Sequence, residues 1–233
     1  MKRKILASIL LLTSVGLTRP AEAANPYHVE QLFKTKECMR CDLTNANLFN
    51  ANLTGVNLQG ADLRGANLYS AYLGLADLRG ANLSDSVLLQ AEMPGVNLEG
   101  ATLTNADLSH AYLAKSNLIG ANLENAKLYN VTLAESFLKG ANFANADLRR
   151  ASLFRVNLEY ANLAGADLSY ADMRESNVKK ADLSNANLYQ AQLFKSNIDV
   201  AQLDKADLSG SNLRGTRVGV PLCVKTSEVY CIK

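Results

Sequence analysis

Between Cys41 and Gly215 the apolar residues return at every fifth position, through 35 consecutive pentads without an insertion or deletion. The third place is Leu 30 times, the exceptions being Met93, Phe143, Met173, Val178 and Ile198. The first place is Ala 24 times and otherwise small: Val at four positions, Ser at six, and Cys41. An amphipathic helix would place its apolar residues near every 3.6 and a strand at every second position, so a strict five predicts neither. It predicts a short extended stretch followed by a corner. The fifth place supports this, holding 11 of the 14 Gly and seven Asn, residues that tolerate the positive φ needed at the second central position of a type II turn. Pro94-Gly95, the preferred pair for that turn, fills a fourth and fifth place. Third-place and first-place side chains then point inward and the other three outward. The second place is Asn or Asp in 24 of 35 pentads, residues whose side chains bond locally to turn backbone.

A longer period lies inside the short one. Lys115, Glu135, Arg155, Glu175 and Lys195 recur every 20 residues with alternating sign, and Arg79, Glu99, Ile119, Lys139, Glu159, Lys179 and Asp199 form a second such column with one break, at Ile119. Val56, Val96, Ser116, Ser136, Val156, Ser176 and Ser196 also share one register, and Asn105, Asn125 and Asn145 another. Twenty residues are four pentads, so one coil is a square. With coils ~4.8 Å apart, the array predicts an all-β solenoid of about nine coils, a rod about 42 Å long. Stacked Asn amides and opposite charges would fix its register. The Leu columns would dominate its stability, each buried Leu contributing about 1.5 to 3 kcal/mol against at most about 1 for an exposed ion pair.

Composition follows from the pentad. The chain has no Trp, is 6% aromatic, and draws its 48% hydrophobic content mainly from Leu and Ala. Runs such as Ala51-Asn52-Leu53-Thr54-Gly55, Ala61-Asp62-Leu63-Arg64-Gly65 and Ala161-Asn162-Leu163-Ala164-Gly165 resemble the A(D/N)LxG consensus of pentapeptide-repeat proteins. The resemblance implies a right-handed quadrilateral β-helix. With an export signal and a Cys-x-x-Cys-Asp-Leu opening, the layout is similar to exported cyanobacterial members, which are periplasmic or thylakoid-luminal.

The first 23 residues read as a secretory signal peptide. Lys2, Arg3 and Lys4 precede a largely apolar run from Ile5 to Leu17, and Ala21-Glu22-Ala23 is a cleavage pattern. That run is too short for a membrane anchor, which takes about 20 residues, and no later segment is apolar enough to span. Cleavage removes Lys2, Arg3, Lys4, Arg19 and Glu22, so the formal +2 of the full chain becomes 20 basic against 21 acidic residues. Residues 24–40 are expected to form an N-terminal cap, with Val29, Leu32 and Phe33 on one face of a short helix over 28–36. Residues 41–215 are the repeat, and 216–233 a C-terminal cap using Val220, Leu222, Val224, Val229 and Ile232. Caps cover strand edges that would otherwise invite polymerisation.

Four cysteines in an exported chain read as two disulfides. Cys38 and Cys41 both fall in inward registers across one corner, and Cys223 and Cys231 lie together in the tail. About 40 Å of rod between the pairs excludes a shared zinc site. A redox-active Cys38-x-x-Cys41 is the sharper alternative, although such pairs normally need an exposed helix N-terminus.

Catalytic chemistry finds little support. His28 and His110 are the only histidines, one in the cap and one in an outward fifth place, and no triad can converge from there. The Ser column (Ser116, Ser136, Ser176, Ser196) reads as small inward residues bonding nearby backbone. The second-place Asp residues are explained by turns, no phosphate-binding glycine motif precedes a helix, and a packed square leaves no substrate pocket. No enzyme, cofactor or metal site is expected. What remains is surface: Phe49, Tyr69, Tyr129, Tyr170 and Tyr189 fall on one face and Tyr72, Tyr112, Phe154 and Phe194 on the next. These rings form a candidate binding face for a protein, or simply suit a strand surface.

The expectation is therefore a non-enzymatic exported structural or protein-interaction module. It would be a monomer or a weak end-to-end homodimer, with no nucleic-acid partner and no membrane span after signal cleavage. Two alternatives stand beside it: topoisomerase protection by DNA mimicry, which the family resemblance implies for cytosolic members, and thiol redox chemistry at Cys38 and Cys41. Near-zero mature charge and the export signal weigh against the first.

Overall fold

The computed structural model describes residues 24–219 and the backbone of two further strands, Leu222–Lys225 and Val229–Ile232. The predicted signal peptide and Val220 lie outside the described residues, as do the side chains of both strands.

The pentads account for their five backbone N–H groups by one scheme with few exceptions, and that accounting is the fold. The first-place N–H closes the corner onto the third-place carbonyl three residues back, as Ala46 does to Leu43 at 3.0 Å; Ser116 N–H goes instead to Ser136 Oγ at 3.0 Å. Every fifth-place residue from Arg40 to Gly215 has positive φ, as a type II turn requires. The second-, third- and fifth-place N–H groups go to neighbouring coils: Asp62 to Cys41 O at 2.9 Å, Leu43 to Asp62 O at 2.7 Å, Asn45 to Arg64 O at 2.8 Å. The fourth N–H faces outward, where every second-place Asn or Asp accepts it through Oδ1. That bond is why the second place selects these two residues.

Second-place residues pair in parallel with those 20 positions on, from Glu37↔Asn57 to Asn197↔Arg217. With a corner after each pentad, a side of the square contributes one paired residue, so the sides are isolated bridges rather than continuous strands. The ladder begins one pentad before Cys41 and continues to Arg217, beyond Gly215, so coil geometry reaches into both segments assigned to caps. Third-place and first-place side chains fill one continuous core. Phe143 is accommodated at 0% exposure in a column otherwise made of Leu. The Ser column is buried and bonds backbone: Ser136 Oγ donates to Leu113 O at 2.8 Å, and Ser176 Oγ to Met173 O at 2.6 Å.

Helix α1 spans Pro26–Thr35, with Asn25 as N-cap, Pro26 in the first turn and Lys36 in a left-handed C-cap conformation. It buries Leu32 fully and Val29 in part against the core. Phe33, expected on the same face, is instead 53% exposed: one position past Leu32, it turns 100° off the contact stripe. The cap also satisfies donors that have no coil below them. Thr35 Oγ1 accepts the Glu37 N–H at 3.1 Å, and His28 Nδ1 accepts the Asp42 N–H at 2.9 Å.

At the other end β1 (Leu222–Lys225) and β2 (Val229–Ile232) form an antiparallel pair in which position 223 stands opposite 231. The tail thus contains a hairpin.

One corner is strained. Val200 holds φ at 57° and is 62% exposed, a conformation costly for any L-residue and most of all for a β-branched one. Val200→Asn is expected to stabilise the protein by about 1 kcal/mol, read as a raised urea midpoint; an unchanged or lowered midpoint contradicts the strain.

Candidate functional site

Cys38 and Cys41 are joined by a disulfide and are 0% and 3% exposed. Their sulfurs face the core, so an incoming thiol has no path to them and the pair staples the first corner. The matching expectation for Cys223 and Cys231 concerns side chains outside the described residues. Among the described residues, no three His, Cys, Asp or Glu side chains gather closely enough to hold a metal ion. No helix among them is long and apolar enough to cross a membrane.

The surface charges pair within the two predicted columns, but not along their whole length. Lys115–Glu135, Arg155–Glu175, Lys139–Glu159 and Lys179–Asp199 form at 3.9, 2.8, 3.8 and 3.7 Å, as separate couples rather than continuous ladders. Stacked amides run through the second place, not the fifth: Asn142 donates to Asn122 at 2.9 Å and Asn162 to Asn142 at 3.0 Å. Asn105 bonds instead to Asp85 at 3.1 Å. Within the repeat the tightest ion pairs lie inside a pentad, wherever Asp in the second place meets Arg in the fourth; only Glu30–Lys34 in α1, at 2.5 Å, is shorter. Asp62–Arg64, Asp77–Arg79, Asp147–Arg149 and Asp172–Arg174 close to 2.6, 2.7, 2.7 and 2.7 Å. The Asp-Leu-Arg and Asp-Met-Arg strings were visible in the sequence and carried this signal.

In each of these pairs the hydrogen-bonded guanidinium holds the Asp carboxyl below its ordinary pKa. The resulting stabilisation is present above the unfolded carboxylate pKa of about 3.9 and is lost as pH falls through the lower folded values. Thermal stability should be flat from pH 7 to 5 and fall below about pH 4, less steeply when all four Asp are changed to Asn. The carboxylates are about a third exposed, so solvent screens the effect and keeps it modest. An acid profile identical in the fourfold variant would remove these pairs as its cause.

The nine aromatic positions divide into two groups. Phe49 and Tyr69 stack at 5.5 Å, and Tyr170 meets Tyr189 edge-on at 5.6 Å. Arg149 lies over Tyr129 at 5.6 Å and Arg150 over Tyr170 at 5.4 Å, while Phe154 carries Arg155 and Phe194 carries Lys195. Seven rings thus have partners within the chain. Tyr72 and Tyr112, 48% and 42% exposed, make no ring contact and no side-chain hydrogen bond among the described residues.

Those two rings flank a concavity of about 980 Å³ on the third side of the square. The expectation of no concavity of substrate size fails at the surface. Its origin is local: in three successive coils of this side the fourth place shrinks to Gly74, Pro94 and Ala114, while the second place departs from Asn or Asp to Tyr72, Glu92 and Tyr112. Small residues make the floor, and larger ones stand along one wall. Leu75, 74% exposed, and Lys115 form the other wall. With no second-place amide or carboxylate to accept them, the Gly74 and Ala114 N–H groups have no partner among the described residues, and Pro94 needs none.

The profile of the family described as Pentapeptide repeats matches in eight copies, over 41–80, 71–109, 106–145, 121–159, 134–169 and 161–199. The chain belongs to the pentapeptide repeat family. HetL, a pentapeptide repeat protein involved in heterocyst differentiation regulation from the cyanobacterium Nostoc sp. strain PCC 7120, is 31% identical; the match covers 69% of this chain and 84% of HetL, with a TM-score of 0.33. A pentapeptide repeat protein from the Arabidopsis thaliana thylakoid lumen is 25% identical over 57% of this chain and 68% of its own, TM-score 0.18. A structure of QnrB1, a plasmid-mediated fluoroquinolone resistance protein, is 16% identical over 76% and 86%, TM-score 0.39. A search of curated proteins finds no match. The solved pentapeptide-repeat structures are right-handed quadrilateral β-helices.

Proposed function

We propose that this protein is a non-enzymatic, exported interaction module: a rigid rod of about nine coils, capped at both ends, that presents one side to a partner protein. The observation carrying this reading is the third-side concavity, where Tyr72 and Tyr112 are the two candidate-face rings left without a partner among the described residues. An aromatic pair over small residues, with unpartnered backbone donors in the floor, is the composition of a docking surface. Export rests on the tripartite pattern of residues 1–23, whose removal leaves domains 24–40, 41–215 and 216–233 in a periplasm or thylakoid lumen. Membership of a family with a thylakoid-luminal representative is consistent with that address.

DNA mimicry would need a continuous negative face. Here Asp62, Asp77, Asp147 and Asp172 are each neutralised by their own Arg, which speaks against it. Burial of the Cys38–Cys41 sulfurs speaks against thiol exchange.

The test is photo-crosslinking in the native compartment through benzoylphenylalanine placed at Leu75 on the groove wall. A discrete adduct with another protein, absent when the probe replaces Ser184 on the first side, supports the reading. Identical adducts from both sites, or none from Leu75, overturn it.

A further inference from the structure

Glu92 stands in the second place of the middle coil of the groove, between Tyr72 one coil before and Tyr112 one coil after, with which it pairs in the ladder. Its side chain is exposed and has no ion pair or hydrogen bond among the described residues. The other charge in the groove, Lys115, is offset by Glu135 at 3.9 Å. The concavity therefore carries one uncompensated negative charge, centred between two rings. Coils repeat at ~4.8 Å, so a group seated over Glu92 lies about that far from the level of each Tyr, inside the ~6 Å reach of a cation–π contact. Elsewhere on the rod the same elements are assembled and already satisfied: Tyr129, Tyr170 and Phe154 each carry an arginine supplied by the chain itself. At Tyr72 and Tyr112 the described residues supply none, because the neighbouring fourth places hold Gly74, Pro94 and Ala114 where Arg149 and Arg174 stand on other pentads.

We propose that the groove receives an arginine or lysine side chain from an extended segment of the partner protein. The cation ion-pairs with Glu92 between Tyr72 and Tyr112, and the backbone flanking it accepts hydrogen bonds from the Gly74 and Ala114 N–H groups. Charge complementarity selects this occupant over an acidic or neutral segment, and Leu75 offers an apolar contact beside it. This rests on the interaction reading above and specifies the chemistry of the partner.

The experiment is an NMR titration of the protein with three capped heptapeptides of sequence Gly-Ala-Leu-X-Leu-Ala-Gly, in which X is Arg, Gln or Glu. The Arg peptide is expected to bind at least tenfold more tightly than the Gln peptide, with the Glu peptide showing no saturable shift. Glu92→Gln should weaken the Arg peptide at least fivefold, as should Tyr72→Ala combined with Tyr112→Ala. None of these three side chains bonds to another described residue, so the variants keep the fold, which thermal unfolding verifies. Equal binding of the three peptides, an unchanged affinity in Glu92→Gln, or no binding of the Arg peptide up to solubility overturns the assignment. The two readings fail separately. A Leu75 adduct that persists undiminished in Glu92→Gln removes the cation and leaves the interaction role, whereas the absence of any Leu75-specific adduct with Glu92 in place removes the role itself.

Discussion

Leu123→Ala, in the middle of the rod, should lower stability by about 3 kcal/mol in urea unfolding followed by circular dichroism. Leu123 is 0% exposed and stacked between Leu103 and Phe143 one coil to either side. Its truncation leaves a void that the coils cannot close. Leu123 N–H bonds to Asn142 O at 2.6 Å and Leu103 N–H to Asn122 O at 2.6 Å, which holds the coil spacing at the backbone value whatever the side chain. The full cavity penalty therefore remains. A solenoid's stability is close to a sum over neighbouring coils, so a weak coil at the centre also uncouples the halves. The transition should broaden as well as shift. A sharp transition with an unchanged midpoint would mean that the core relaxes freely, against the rigid-spacing account.

Asn122→Pro should be at least as damaging, by about 3 kcal/mol or more. It deletes the N–H that bonds to Ala101 O at 2.9 Å, the Oδ1 that accepts from Glu124 N at 3.1 Å and from Asn142 Nδ2 at 2.9 Å, and the amide donated to Thr104. The informative control is Ala114→Pro. Its N–H has no partner among the described residues, and Pro94 occupies the same place one coil earlier. That variant should stay within about 1 kcal/mol of wild type, since it gives up no native bond. Equal destabilisation by the two prolines would refute the five-way accounting of backbone donors.

That accounting was largely legible beforehand. Gly and Asn in the fifth place announced positive φ, Pro94-Gly95 announced the turn type, and Asn or Asp before Leu announced a local bond to the corner. The recurrence of Val and Ser first-place residues every 20 positions announced the square. These readings held because each depends on neighbours in the chain or on a repeat that copies the same geometry 20 residues on. Cys38 and Cys41, placed in inward registers by the same count, meet as expected.

The readings that failed concern side chains with several partners in reach. Asn105 lies within reach of Asp85 as well as Asn125, and the carboxylate takes the amide. Lys195 has Glu175 in its column, yet its ammonium lies over the Phe194 ring at 5.1 Å. Phe33 shares an apolar pattern with Leu32 but not its contact. The groove was missed for another reason: its residues are remarkable only jointly, since Gly74, Pro94 and Ala114 must be seen stacked before their small size becomes a depression.

The sequence by itself determined the backbone path, the inside and the outside, because a five-residue period leaves one way to bury Leu and Ala while giving every N–H an acceptor or solvent. Only the tertiary structure decided which outward groups satisfy one another and which stay available. That choice is made by competition among side chains a few ångströms apart on adjacent coils, and it left Tyr72, Glu92 and Tyr112 without partners among the described residues.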